Sequence, residues 1–225
     1  MTSLTVAGVS ATALFGSEPA RAALVYDNIG APANGSSSYN ISNFAQADDF
    51  TLTKAARLTD FTFWASYPSG NSSNLSDNIG WAIFNNNAGA VGSLIASGTD
   101  TSVTKTVTGV NTALGDPIIR VDGDFGGTIS LAAGTYWISF RDGAWGSFWD
   151  GTDAFWTGVS PSIVGNPARS DSNERNPTFP TSVDRSYNFR LFDNFVPPPI
   201  VPEPGTIAGL LAVGVVGAFA RVRKA

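Results

Sequence analysis

The chain contains neither cysteine nor histidine. Without cysteine, no disulfide crosslinks the fold and no thiol serves as a nucleophile, so the fold depends on its hydrophobic core. Without histidine, a Ser-His-Asp triad, a Cys-His pair and a histidine zinc site are all excluded. The side-chain chemistry that remains is that of carboxylates, amides, hydroxyls and aromatic rings.

Basic residues are few and scattered. Residues 23–200 contain 9 Lys and Arg against 16 Asp and Glu, which gives a net charge of −7. A body that is acidic on balance repels phosphate groups, so this composition argues against nucleic acid as a partner. Glutamate is rarer still, because Glu174 is the only one in that range.

A glycoside hydrolase is the enzyme class that this composition leaves open. It needs two carboxylates across a cleft, about 5–5.5 Å apart in a retaining enzyme or about 6.5–9.5 Å in an inverting one. Asp48 and Asp49 cannot be that pair, because adjacent residues of a strand point to opposite faces. We therefore expect no catalytic residues and no enzyme activity, with a hydrolase that uses Asp carboxylates as the alternative.

The chain has no apolar run of the roughly 20 residues that usually cross a bilayer. Its best candidate for a membrane span is a shorter run near the C-terminus. Residues 205–220 are all apolar or small, and the last 15 of them form a helix of about 22 Å, short of a hydrocarbon core of about 30 Å. The basic residues Arg221, Arg223 and Lys224 follow and can reach lipid headgroups on the cytoplasmic side. A buried core helix is the alternative, but such a helix does not usually end in a basic cluster. We predict a short transmembrane helix over 205–220.

The tripeptide Pro202-Glu203-Pro204 precedes this run and follows a Pro-rich linker, residues 196–201. A Pro-Glu-Pro motif, an apolar helix and a basic end that includes Arg221 and Arg223 together resemble the PEP-CTERM sorting signal of bacterial exported proteins, here residues 202–225. The resemblance implies processing by an exosortase, a membrane-embedded transpeptidase-like enzyme. It also implies a transient stay in the inner membrane, then a place at the cell surface or in the exopolysaccharide matrix of a biofilm.

The N-terminus agrees with export. Residues 4–15 are apolar or small, and Ala20-Arg21-Ala22 followed by Ala23 looks like the cleavage region of a secretory signal peptide. We expect residues 1–22 to be that signal peptide, cleaved near Ala22 or Ala23. Because no Lys or Arg precedes Arg21, the basic n-region is absent, and we expect the true translation start to lie upstream.

Between these ends, hydrophobicity alternates with a period of two. In residues 136–141, Tyr136, Ile138 and Phe140 fall on one face, which is typical of a half-buried strand. The alternation predicts strands at 24–26, 45–52, 57–64, 79–83, 94–99, 105–110, 118–125, 136–141, 147–149, 154–157 and 187–192. Clusters of Gly, Asn, Ser and Asp, such as 69–74 and 85–89, separate them.

This pattern predicts an all-β protein, with a single antiparallel β-sandwich of the jelly-roll kind over residues 23–195. No amphipathic helix is evident in that range. Residues 161–180 are polar and interrupted by prolines, so we predict a long surface excursion there, before the last strand.

Three tryptophans with nearby carboxylates form the most function-like stretch of the body: Trp145, Trp149 and Trp156 with Asp150 and Asp153. Flat rings stack on sugars and carboxylates accept hydrogen bonds from hydroxyl groups, so these residues are candidates for glycan binding. Core packing explains the same rings, since aromatic residues of strands are usually buried. Exposure of the three rings decides between the two interpretations.

No cofactor is expected, and calcium is the one metal that the donors favour, because the body offers oxygen ligands only. Asp122 and Asp124 flank a glycine beside Gly126, and Asp48 and Asp49 could supply further oxygens. The alternative is that Asp122 and Asp124 serve only a turn, while Asp48 or Asp49 caps a turn or pairs with Arg57.

Overall fold

A computed structural model describes residues 22–67, 75–147, 154–160, 162, 164–171 and 177–193. In these ranges the backbone consists of strands and turns without a helix, and the sheets are antiparallel. The predicted all-β, antiparallel class is therefore confirmed. The predicted signal segment 1–22 lies outside the described residues except for Ala22, and the predicted helix 205–220 lies wholly outside them.

The described part of the chain contains the following strands: β1 Ala23–Asn28, β2 Ser37–Asn40, β3 Ala45–Leu52, β4 Ala56–Ser66, β5 Ile79–Asn87, β6 Ala90–Asp100, β7 Thr104–Asn111, β8 Pro117–Leu131, β9 Gly134–Asp142, β10 Phe155–Val159, β11 Arg169–Asp171, β12 Thr181–Ser182, β13 Ser186–Tyr187 and β14 Phe189–Asp193.

The strands form two sheets. In the first sheet, β14 lies between β1 and β4, and β4 also pairs with β8 and β10. Strand β7 pairs with β8, and strands β2 and β13 pair with β10. The second sheet has the order β12-β11-β3-β9-β5-β6. Neighbours in space are mostly distant in sequence, so the fold depends on long-range pairing.

The main core lies between the two sheets and is rich in aromatic rings. Phe63 of β4 stacks on Phe140 of β9 with ring centroids 4.6 Å apart, so these two rings join one sheet to the other. Trp156 of β10 stacks on Tyr187 of β13 at 4.4 Å. Without disulfides, this apolar layer stabilises the sandwich-like fold, since a buried aromatic side chain contributes about 1.5–3 kcal/mol.

A second apolar cluster covers the other face of the second sheet. Ala47, Phe84 and Trp137 of three neighbouring strands are buried there, and Phe179 packs on Phe84 with ring centroids 5.3 Å apart. Small residues on β3 and β5 leave room for these larger rings. Part of the chain beyond β10 therefore folds back over the sheet.

The predicted surface excursion at 161–180 is wrong for β11 and for Phe179, whereas Gly165, Pro167, Thr178 and Pro180 are exposed and lie outside strands. Arg169–Asp171 form β11, which pairs with β3, and Ser170 and Phe179 are buried. The prediction at 85–89 also needs correction, because β5 continues to Asn87 and the turn comprises Ala88 and Gly89. Of the predicted strand at 147–149, residues 148 and 149 lie outside the described ranges.

Candidate functional site

Trp156 belongs to the core. Its side chain is 0% exposed, its ring stacks on Tyr187, and its indole N–H donates to the carbonyl oxygen of Asn188 at 2.9 Å. Phe140 meets the same ring edge-on at 5.2 Å. Because both its ring and its N–H are engaged, Trp156 cannot stack on a sugar. The predicted glycan-binding platform of three tryptophans is therefore wrong for Trp156.

Trp145 is half-buried and lies just after β9. Its ring contacts Phe84 with centroids 6.1 Å apart, and its backbone N–H donates to Thr99 Oγ1 at 3.2 Å. This tryptophan therefore packs at the border of the second apolar cluster, apart from Trp156. The other predicted glycan-binding residues, Trp149, Asp150 and Asp153, lie outside the described residues.

Asp48 is a fully buried carboxylate on β3. Its Oδ2 accepts hydrogen bonds from Asn28 Nδ2 at 2.8 Å and from the Tyr187 N–H at 2.7 Å, and its Oδ1 accepts one from the Asp49 N–H. Burial raises the pKa of this carboxyl well above its usual range, while the three donors act in the opposite direction. Asp48 thus links β3 of the second sheet to β1 and β13 of the first.

Asp49 points to the other face of β3. Its carboxylate accepts from both the backbone N–H and the side-chain Nδ2 of Asn166, at 2.9 and 2.8 Å. Gly165 has a φ of +63°, and an added Cβ there would collide with the Asp49 carboxylate. Burial raises the pKa of Asp49, and its bonds to Asn166 oppose the rise. Asp49 therefore caps a turn, which is one of the alternatives that the sequence left open. Because Asp48 and Asp49 point to opposite faces of β3, they do not form a catalytic pair.

Asp122 and Asp124 lie on β8 in the first sheet. Asp122 accepts from Thr62 Oγ1 at 2.6 Å and from Arg120 Nε at 2.8 Å. Asp124 Oδ1 accepts from the Gly126 N–H at 2.6 Å, where the pairing of β8 with β4 shifts its register. Both carboxylates therefore already have protein partners.

Asp122 and Asp124 line an acidic cavity of about 370 Å³. Asp60 and Asp100, which were not among the candidates from the sequence, line it as well. Asp100 Oδ2 accepts from the Asp124 N–H at 2.9 Å. The β4–β8 register places Asp60 opposite Asp124, which is a tertiary pairing that local sequence patterns do not encode.

The structure does not assemble the four predicted calcium ligands into one site. Asp48 and Asp49 lie on β3 of the second sheet, and Asp122 and Asp124 on β8 of the first. Within the described ranges, no group of three or more carboxylates is arranged to hold a metal ion.

Another cavity, of about 480 Å³, is lined by residues of both sheets. Tyr39 and Phe155 contribute from β2 and β10, and Ser170 and Asp171 from β11. Phe44, in the turn after β2, also lines it and is 43% exposed. Sequence reasoning missed this cavity, because β2 and β11 are short polar strands without an alternating pattern.

Comparison with known families adds evidence on the tail. Residues 201–224 match the family model of the PEP-CTERM protein-sorting motif. No curated protein matches the chain. The described ranges contain no helix that could span a bilayer.

The matched range contains Pro202, Glu203, Pro204, Arg221 and Arg223, the residues that carried the sequence resemblance. The motif implies an exported protein that is anchored transiently in a membrane and processed by an exosortase-type enzyme. The resemblance seen in the sequence is thereby confirmed, and the chain carries a PEP-CTERM protein-sorting motif at residues 201–224.

Proposed function

We propose that this chain is a non-catalytic protein of the cell surface or of the exopolysaccharide matrix of a biofilm. The match of residues 201–224 to the sorting motif is the observation that carries the proposal. A signal peptide at 1–22 directs export, and a short helix at 205–220 holds the precursor in the inner membrane until the exosortase-type enzyme acts. The processed product is the body, a jelly-roll-like sandwich over residues 23–195.

Replacement of Pro202-Glu203-Pro204 by three alanines tests the sorting step. We expect the variant to accumulate uncleaved in the membrane fraction, because the processing enzyme no longer finds its motif. The matched control replaces Pro197, Pro198 and Pro199 of the neighbouring linker by alanines and should be processed normally. Normal processing of the Pro202-Glu203-Pro204 variant would refute the proposal.

Extracellular polysaccharide is the partner that we propose for the body. The acidic composition disfavours polyanionic partners, and the described body has a cavity with aromatic and hydroxyl-bearing side chains. Calcium belongs to the same proposal as an optional ion. Binding of the full chain to extracted exopolysaccharide, with calcium and with a chelator, tests both parts.

The directions and hydrogen bonds of four aspartates support a non-catalytic role. Asp48 and Asp49 face opposite sides of β3, and Asp122 and Asp124 are engaged by protein donors. The acidic cavity that also includes Asp60 and Asp100 favours a glycoside hydrolase as the alternative function. Release of new reducing ends when the full chain is incubated with exopolysaccharide would favour the hydrolase.

A further inference from the structure

The 480 Å³ cavity has a size and lining that suit a small polar ligand with an apolar face. Ligand sites in proteins commonly enclose about 300–1,000 Å³ and combine aromatic side chains with a few placed polar groups. Here Tyr39, Phe44 and Phe155 provide the rings, and Ser38, Asn40 and Thr181 are among the polar lining residues.

Phe44 is the most exposed of the three rings, and its backbone is fixed. Asn40 Oδ1 accepts hydrogen bonds from the Ser42 N–H at 3.0 Å and from the Asn43 N–H at 2.6 Å, which closes the turn just before Phe44. The buried Ile41 within that turn donates its N–H to the Ala154 carbonyl at 2.8 Å. A rigid turn therefore presents a large apolar ring, 43% exposed, at the cavity.

Tyr39 is held in place by a cation. The Arg185 guanidinium carbon lies 3.6 Å from the centre of the Tyr39 ring, and Arg185 Nη1 donates to the Ser38 carbonyl at 3.4 Å. Such a cation–π contact restricts the ring, so less conformational entropy is lost when a ligand packs on it.

The polar side of the cavity rests on a buried network. Gln46 Nε2 donates to the Asn40 carbonyl and to Ser170 Oγ, at 3.3 and 3.1 Å, and Gln46 Oε1 accepts from Tyr187 OH at 3.1 Å. Gln46 is 0% exposed. Asp171 Oδ2 accepts from the Phe179 N–H at 3.1 Å. The polar lining residues are thus positioned before any ligand arrives, which limits the cost of binding.

We propose that this cavity binds an uncharged sugar unit of an extracellular polysaccharide. Phe44 and Tyr39 pack on the apolar face of the sugar ring, while Ser38, Ser170 and Asp171 line the side that its hydroxyl groups meet. Asp171 is the one formally charged residue among the described lining residues. The nearby Arg185 guanidinium is engaged by the Tyr39 ring and the Ser38 carbonyl. The cavity therefore favours neutral sugars over uronates. The assignment rests on the proposed function and names its ligand class and site.

Calorimetric titration of the purified full chain with cellohexaose, mannohexaose, maltohexaose and hexagalacturonate tests the assignment. Phe44→Ala should weaken binding of the neutral hexamer that binds by about tenfold or more, because the stacking surface is lost. Phe44→Tyr should retain the affinity. Thr181→Trp places a bulky ring in the cavity from an exposed lining position, and it should abolish binding. The matched control Leu114→Ala removes an apolar side chain that is 86% exposed elsewhere and should change nothing.

The outcomes separate this site from the broader proposal. Unchanged affinity in folded Phe44→Ala and Thr181→Trp would overturn the site and leave glycan binding intact. Equal or tighter binding of hexagalacturonate would overturn the preference for neutral sugars. If the wild-type chain binds none of the hexamers, the site is refuted; the sorting proposal still stands on the processing of its Pro-Glu-Pro variant.

Discussion

Asp48 and Asp49 show how far the roles of two identical neighbours diverge once the strand fixes their directions. Asp48 joins the two sheets through Asn28 and Tyr187, and Asp49 holds the turn at Asn166. The sequence was sufficient to predict that the two carboxylates separate, because a strand alternates its side chains. It was not sufficient to predict their partners, which are distant in the chain.

Replacement of Asp48 by Asn tests the buried carboxylate. Near pH 4 a protonated Asp48 can still accept with both of its oxygens, whereas the amide nitrogen of Asn accepts nothing, so we expect a loss of about 1–3 kcal/mol in the free energy of unfolding. The pKa of Asp48 is raised on folding above its usual 3.8. The folded state therefore holds a proton that the unfolded state has lost, and this contribution disappears as the pH rises through the raised pKa.

The stability difference between wild type and Asp48→Asn should thus shrink as the pH rises from about 4. Urea unfolding at several pH values measures it. Asp77→Asn is the matched control, because that side chain is 76% exposed in an ion pair with Lys105 and should change stability by less than about 1 kcal/mol. A difference that grows with pH would contradict the assignment.

The two described tryptophans of the predicted glycan site should differ in their effect on stability. Trp156→Ala leaves a cavity between Tyr187 and Phe140 and should cost about 3–5 kcal/mol. Trp145→Ala removes a half-buried ring and should cost less. Denaturant unfolding of both variants checks this order, and equal losses would contradict the core placement of Trp156.

At the scale of elements, β11 shows what tertiary structure adds. Residues 169–171 carry no alternating hydrophobic pattern, yet they pair with β3 and with β12. Strands such as β3, β4 and β9 were predictable because they are long and contain apolar residues at alternating positions, although β3 and β9 are buried on both faces. The short polar strands β2, β11 and β12 were not, since their hydrogen bonds depend on neighbours that only the folded chain brings close.

Asn166→Ala tests how the turn before β11 is fixed. Loss of the side-chain N–H leaves Asp49 Oδ2 without that donor, and we expect a cost of about 1–3 kcal/mol together with faster amide hydrogen exchange in β11. Asn85→Ala is the control, because its hydrogen bond to Ser93 is exposed. If the two variants lose equal stability, the Asp49–Asn166 contact does not anchor this segment.

At the scale of the whole molecule, the body and the tail carry different kinds of information. The tail was identifiable from sequence, because a short motif, an apolar run and basic residues occur in a fixed local order. The cavities of the body were not, because each combines residues from strands far apart in the chain. Sorting is therefore the part of the account that is easiest to test directly.

Intact-mass measurement of the exported protein tests the central claim. We predict a product that starts near Ala22 or Ala23 and lacks the apolar and basic residues that follow Pro202-Glu203-Pro204. Its mass should therefore fall well below that of the full 225-residue chain. An exported protein that begins at Met1 and retains Arg221, Arg223 and Lys224 would contradict processing at both ends.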